Sequence, residues 1–360
     1  MSNISKIDKN FKIETKIDKA DIKFYDVKSG IFDVYGLYKF YETDKYCRMD
    51  PVIADSLKTG VAALNWCTAG GRIRFKTNSR YVAINRNLVF FKDGGGKSPH
   101  FTVTGSSGYD IYLVENGQQL FYKSFMPEYD FNEHFEQVID FEDDSERDII
   151  IHMPLYNGCS AMYIGLQESA YIKAGSPYKY DKPILFYGSS ITQGGCASRP
   201  GNAYTNMLSR FLDADHINLG FAGNAKGEDT IAEYIADIDC SVFVYDYDHN
   251  APNAEHLRNT HEKMFLKFRE KHPNTPVVMM SRPTLSNSKT VPDARTDVII
   301  ETYNRAKNRG DNNVYFVDGR DLFSNYGGSD CTVDGCHPTD LGFFSMAKCV
   351  EKVILDNKLL

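Results

Sequence analysis

Phe186-Tyr-Gly-Ser-Ser-Ile-Thr-Gln-Gly-Gly195 follows the short apolar run Pro183-Ile-Leu185 and sets two serines between glycines. An apolar run ending in such a turn reads as a buried strand whose C-terminal end carries a loop. The stretch lacks the spaced glycines of a dinucleotide loop and the lysine of a P-loop, so nucleotide binding is not its reading. What remains is a serine held at the end of a strand. Further strand-like runs follow at HINLGFAG, SVFVYDYD, PVVMMS and NVYFVDG. Helical periodicity lies between and after them, at AYTNMLSRFL, TIAEYIADI, AEHLRNTHEKMFLKFREKH, DARTDVIIETYNRAKNR and LGFFSMAKCVEKVILDN. Continuous apolar strands alternating with helices predict a parallel sheet covered on both faces, an α/β architecture with its site at the C-terminal strand ends.

Upstream of SPYKYDKP (176–183) the pattern differs. Short alternating runs predominate, as in GRIRFKTNSRYVAI (71–84), where Ile73 and Phe75 alternate with basic residues and predict half-buried strands. In YDIYLVENGQQLFYKSF (109–125), Asn116-Gly117 between two strand-like runs signals a hairpin. With no long amphipathic helix, this half reads as a β-sandwich of jelly-roll type. The predicted division is 1–178 for the sandwich and 179–360 for the α/β domain, in keeping with a 360-residue chain.

The composition, 42% hydrophobic and 25% charged, is that of a globular protein. The net charge of -7 is spread without a basic block, which argues against nucleic acid as a partner. The N-terminus alternates lysine and acid with no apolar core for a signal peptide, and no long apolar run spans a membrane. These features predict a cytoplasmic protein that does not engage membranes; homo-oligomers are compatible with the sequence. Eight scattered cysteines without a CxxC pair predict free thiols, with no metal or other cofactor. DGGGKS (93–98) imitates the end of a P-loop, but Phe91 stands where the first glycine belongs and Pro99 opposes the following helix.

A serine hydroxyl attacks only when a base takes its proton, so Ser189 or Ser190 requires a histidine from elsewhere. Three Asp-x-x-His pairs compete: Asp213 with His216, Asp246 with His249, and Asp334 with His337. His216 enters the wrong end of its strand and reads as structural. His249 lies at the correct end of the third strand, while His337 occupies the loop before the last helix and is favoured. Gly223 and the Asn250 amide sit at the ends of the second and third strands, where oxyanion donors would be needed. Taken singly, each is an ordinary turn glycine or a capping Asn.

In this order and at these strand ends, the segments resemble the SGNH hydrolases, the GDSL esterase and lipase family, whose domain is a flavodoxin-like three-layer α/β/α fold. The resemblance implies Ser190 as nucleophile, Asp334 and His337 as its triad partners, and Gly223 and Asn250 with the Ser190 N–H as the oxyanion hole. GYDIY (108–112) likewise resembles the GxDLY signature of a sandwich that precedes some members. Two departures stand out: Ser189 replaces the motif's Asp, and DHNA (248–251) replaces Gly-x-Asn-Asp, so Asp248 adds bulk and charge beside Asn250. A carboxylate there would raise the basicity of a neighbouring histidine.

The resemblance implies a serine esterase removing small acyl groups, acetyl above all, from sugar hydroxyls of acetylated oligosaccharides. A lipid acylhydrolase and an inactive carbohydrate-binding protein are the alternatives. Arg282, Asp248 and His249 are the candidates for substrate contact, with a surface salt bridge the competing role for Arg282. Trp66 reads as a core residue before it reads as a sugar platform. Cys336 reads as a packing residue.

Overall fold

The computed structural model describes residues 13–43, 45–57, 59–89, 98–128, 134–285 and 292–360. The charged extreme N-terminus and DGGGKS, apart from Ser98, lie outside these residues. The first half builds two antiparallel sheets. Eight strands carry them: β1 (Ile22–Asp26), β2 (Arg72–Thr77), β3 (Tyr81–Val89), β4 (Tyr109–Glu115), β5 (Gln118–Phe125), β6 (His134–Asp140), β7 (Arg147–His152) and β8 (Gly158–Gln167). One sheet runs β1-β8-β3-β6 and the other β2-β7-β4-β5, with short strands Asp33–Tyr35 and Ile172–Ala174 flanking β2. Early and late strands thus interleave, as they do in jelly rolls. Between the sheets, Ile73, Phe75, Val82, Ile84, Ile111, Ile149 and Ile151 share one core. The predicted hairpin is there: Asn116 (φ 51°) and Gly117 (φ 76°) both turn left-handed between β4 and β5, as a type I′ turn requires.

The second half supplies five parallel strands, β9 (Tyr180–Gly188), β10 (Ala214–Gly220), β11 (Val242–Asp246), β12 (Val277–Met280) and β13 (Val314–Val317). Their order, β10-β9-β11-β12-β13, is the flavodoxin-like one. Helices α1 (Tyr204–Leu212), α2 (Asp229–Ala236), α3 (Ala254–Lys271), α4 (Ala294–Asn308) and α5 (Asp340–Asp356) cover it. Strand alternation sorts the side chains. Ile184 and Phe186 of β9 face α1 and α5, whereas Leu185 and Tyr187 face α2, α3 and α4. Because both faces are covered, most strand positions are apolar, which is why these runs read as continuous, with His216 and Asn218 of β10 as buried polar exceptions.

The expectation of half-buried strands in the sandwich fails at its basic positions. Arg72 and Arg74 are as buried as the Ile73 and Phe75 between them. The outer face of β2, β7 and β4 is covered by the second domain and by the connector that leads into it. There the Arg72 guanidinium pairs with Asp215 and donates to the His216 carbonyl at 3.1 Å, while Arg74 lies over the Tyr178 ring. Arg48, also buried, donates to the carbonyls of Asn218 (3.1 Å) and Gly220 (2.6 Å) on β10. The alternation correctly placed one face in the sandwich core; the other face is a polar interface, not a solvated one. Segments of the first half also complete the second domain's core, with Leu155 and Tyr156 on one side and Met49, Ala54 and Val61 on the other.

Trp66 departs from expectation too. It sits in the turn after a short helix (Thr59–Leu64), only half-buried, with the Lys45 ammonium 5.5 Å from its ring. All eight cysteines are free thiols. Among the described residues, no helix is long and apolar enough to cross a membrane.

Candidate active site

Strand β9 ends at Gly188, and the chain turns at once into a single helical turn, Ser190–Gln193. Gly188 has no room for a side chain, since a Cβ would stand 1.8 Å from Asp246 Oδ1 of neighbouring β11. Ser189 is fully buried, and its hydroxyl caps the turn by accepting the Ile191 N–H at 3.2 Å. This accounts for the departure from the family motif. The position asks for a capping oxygen, which Ser provides as well as Asp does. Ser190 is therefore the residue presented outward, and as the first residue of the turn its N–H has no intrahelical acceptor.

The last loop brings the partners. His337 Nε2 lies 3.0 Å from Ser190 Oγ, and His337 Nδ1 lies 2.8 Å from Asp334 Oδ2. The backbone N–H groups of Cys336 (3.0 Å) and His337 (2.7 Å) both donate to Asp334 Oδ1. Burial pulls the Asp334 carboxyl upward, but the His337 ring and these N–H groups outweigh it and hold the pKa at about 2. A carboxylate that stays ionised fixes the ring with Nδ1 as donor, leaving Nε2 as the acceptor facing the serine.

Gly223 is exposed in the turn after β10 at φ +69°, with open space where a Cβ would be. That turn is tied to the serine segment through two bonds, Phe221 N–H to the Gly188 carbonyl (2.9 Å) and Ala222 N–H to Gln193 Oε1 (3.1 Å). Asn250 donates one amide hydrogen to the Phe221 carbonyl at 3.0 Å, which orients the group and leaves its second N–H as a further donor. Both candidate donor positions are thus anchored to the turn that carries Ser190.

The candidates for substrate contact have other partners. The Arg282 guanidinium pairs with Asp293 at 3.2 Å, and its backbone N–H donates to the buried Asp248 carboxylate at 3.0 Å. Burial pushes the Asp248 carboxyl up to about 6. His249 rests with Nδ1 4.0 Å from Cys336 Sγ. Burial, followed by the neighbouring Arg282 and His337, drives the His249 pKa down to about 4, the reverse of the basicity expected from Asp248. His216 is fully buried against Arg72 at the domain interface, far from the chemistry in role. Cys336 is half-buried, its backbone bracing Asp334.

Several residues at the site carried no signal in the sequence. The Tyr156 hydroxyl, from the sandwich half, donates to the Ser190 carbonyl at 3.0 Å, and Phe101 packs on the Tyr156 ring with centroids 4.5 Å apart. The His100 ring lies 5.2 Å from that of His337. Beneath the serine turn, Thr192 and Tyr204 hydrogen-bond the buried Asp246 carboxyl, which burial pushes well above the usual range. The first domain also holds the second through its signature. Asp110 of GYDIY accepts from Gly201 N–H (2.7 Å), Ser124 Oγ (2.7 Å) and Arg199 (3.1 Å), which fixes the 199–201 loop leading into α1.

Comparison with known proteins agrees with this fold. Residues 181–355 match the model of the GDSL-like lipase/acylhydrolase family, and residues 22–172 match the model for the N-terminus of SGNH-type esterases. The chain belongs to the SGNH hydrolases. This SGNH hydrolase is similar to a Bacteroides ovatus protein described as a GDSL-like lipase, at 28% identity and a TM-score of 0.80, covering 94% of this chain and 98% of that one. It shares its fold with a salicylyl-acyltransferase of a tetracycline biosynthetic pathway, at 16% identity, TM-score 0.77, and 95% and 99% coverage. The same holds for an acetyl xylan esterase from Butyrivibrio proteoclasticus, at 12% identity, TM-score 0.58, and 93% and 99% coverage. No curated protein matches the sequence. As an SGNH hydrolase the protein is a carboxylic ester hydrolase.

Proposed function

We propose that this SGNH hydrolase is a serine esterase that removes acetyl groups from carbohydrate hydroxyls through an acyl-enzyme, acting on acetylated oligosaccharides in the cytoplasm. The observation that carries the reading is the continuous line Ser190 Oγ–His337–Asp334, with contacts of 3.0 Å and 2.8 Å. His337 Nε2 takes the Ser190 proton as Oγ attacks the ester carbonyl. The oxyanion is held by N–H groups of Ser190, Gly223 and Asn250, each donor worth about 3 kcal/mol of transition-state stabilisation. Collapse expels the sugar alkoxide, which takes the proton from His337. Water then attacks the acyl-enzyme by the same route and releases acetate.

The rings of His100, Phe101 and Tyr156 gather beside the triad, with Tyr156 bonded to the Ser190 carbonyl and His100 against His337, and the acetyl preference is read from the family resemblance. The carbohydrate preference is supported by fold relatives, which include the acetyl xylan esterase and a family two carbohydrate esterase from Clostridium thermocellum in complex with cellohexaose. The experiment measures acetate released from a panel of acetylated oligosaccharides, with aryl acetate and aryl hexanoate alongside. Ser190→Ala is expected to lower turnover by about 10³-fold or more. Near-normal turnover in that variant rejects the nucleophile, and faster hydrolysis of the hexanoate rejects the deacetylase in favour of a lipid acylhydrolase.

A further inference from the structure

The catalytic histidine has two neighbours that the acyl-transfer chemistry does not use. His100 comes from the sandwich half, its Nδ1 held 3.0 Å from the Ser98 hydroxyl, which leaves Nε2 as the nitrogen open to a ligand. Cys196 is buried in the turn that ends the serine segment, at φ +74°. One donor atom each from His100, Cys196 and His337 lie within 4.8 Å of one another.

We infer that His100, Cys196 and His337 form a site for a divalent cation of the zinc class, and that the bound ion switches the esterase off. Two imidazoles and a thiolate are a donor set suited to such ions, with a water completing the tetrahedron. Bonds of about 2.0–2.3 Å place tetrahedral donors roughly 3.3–3.8 Å apart, so shifts of about 1 Å in these side chains close the site. The thiol proton leaves to solvent as the sulfur binds.

Inhibition follows whichever nitrogen of His337 takes the metal. Nε2 is the acceptor for Ser190 and Nδ1 is the donor to Asp334, so either bond to the ion removes one link of the triad. The ligands come from positions 100, 196 and 337, so no local spacing announces them, and the sequence reading of free thiols without metal passed over the site. The site also requires both halves of the chain, since the sandwich contributes His100. The inhibition, unlike the binding, rests on His337 being the general base.

Cobalt(II) titration of the full-length protein tests the binding without reference to activity, because tetrahedral thiolate coordination gives intense charge-transfer and visible bands. One saturable equivalent is expected in the wild type. Cys196→Ser should abolish the thiolate band, and His100→Gln should weaken affinity by about 10-fold or more. Cys336→Ser should leave the spectrum unchanged. Absence of the band in the wild type, or its loss with Cys336→Ser instead of Cys196→Ser, overturns the site. In parallel, the ratio of aryl acetate turnover with and without zinc is read within each variant. Zinc inhibition reversed by EDTA in the wild type, and shifted about 10-fold in Cys196→Ser, supports the switch. A cobalt site that persists while Ser190→Ala stays active rejects the triad and keeps the site. An inactive Ser190→Ala without a wild-type cobalt band does the opposite.

Discussion

Two clusters in this molecule are each organised by an aspartate that accepts three hydrogen bonds, and they do opposite things. Asp334 takes two backbone N–H groups and the His337 ring. Asp110 takes the Gly201 N–H, the Ser124 hydroxyl and the Arg199 guanidinium. The Asp334 side chain is 37% exposed, and its chain of bonds ends on a half-buried serine hydroxyl where substrate can arrive. Asp110 is fully buried, and every bond it makes ends on protein. The difference teaches where polarity is spent: an open-ended network is arranged so that a proton could pass along it, while a closed one fixes a domain interface. Their charge states reflect this. Hydrogen bonding wins at Asp334 and holds it at about 2, whereas burial wins at Asp110 and lifts its carboxyl above the ordinary value.

The sharpest way to break the comparison is to remove each carboxylate and ask which property collapses. Asp334→Ala should lower kcat/KM for an aryl acetate by about 10³–10⁴-fold, because His337 loses the partner that fixes its tautomer. Its urea midpoint should stay near the wild-type value, since the carboxylate is partly solvated. Equal loss of folding stability would show that Asp334 is structural. Asp110→Ala should behave in reverse, costing about 3 kcal/mol or more in urea denaturation by leaving the Gly201 N–H without its acceptor and Arg199 without its counter-ion at the interface. The fraction that remains folded should retain turnover within about 10-fold of wild type. A stable Asp110→Ala with turnover down by orders of magnitude would place the signature in the chemistry instead of the interface.

The same contrast explains what could be read from the sequence. The parallel strands were legible because burial on both faces forces unbroken apolar runs such as Val242 to Tyr245. Asn116-Gly117 was legible because only a few residues accept two successive left-handed positions. The spacing of Asp334 and His337 left three equivalent pairs, and it took the order of the segments, together with the Ser190–His337 contact, to single out one. Arg72 and Arg74 were misread because alternation reports one apolar face and is silent on what covers the other. Their cover, Asp215 and Tyr178, lies about a hundred residues or more away in the chain. His100 reaches His337, and Tyr156 reaches the serine, from the opposite domain through loops, where no periodicity exists to announce them.

The smallest expected effect tests the closed domain interface by pH, at His216 beside Arg72. His216 is fully buried on β10, and burial followed by the Arg72 charge pushes its pKa well below 6.5. Its Nδ1 lies 2.6 Å from Arg72 Nη1, an arrangement in which the guanidinium donates and the ring nitrogen must be unprotonated to accept. The folded ring therefore stays neutral where the unfolded one takes a proton, so its contribution is complete above about pH 6.5 and is lost as pH falls below it. The loss is about 1.4 kcal/mol per pH unit, or about 2 kcal/mol between pH 7.5 and 5. Asp110 and Asp215, raised by burial, act in the opposite sense at lower pH, while His152, His249 and His261, lowered by burial, act in the same sense, so the His216 contribution is read from the difference between wild type and variant and not from the slope of the whole protein. His216→Gln removes the titration while keeping an acceptor for Arg72. Its urea-derived stability should approach that of the wild type by about 2 kcal/mol as pH falls from 7.5 to 5. Parallel stability curves for the two proteins would mean that His216 is protonated, or solvated, in the folded interface.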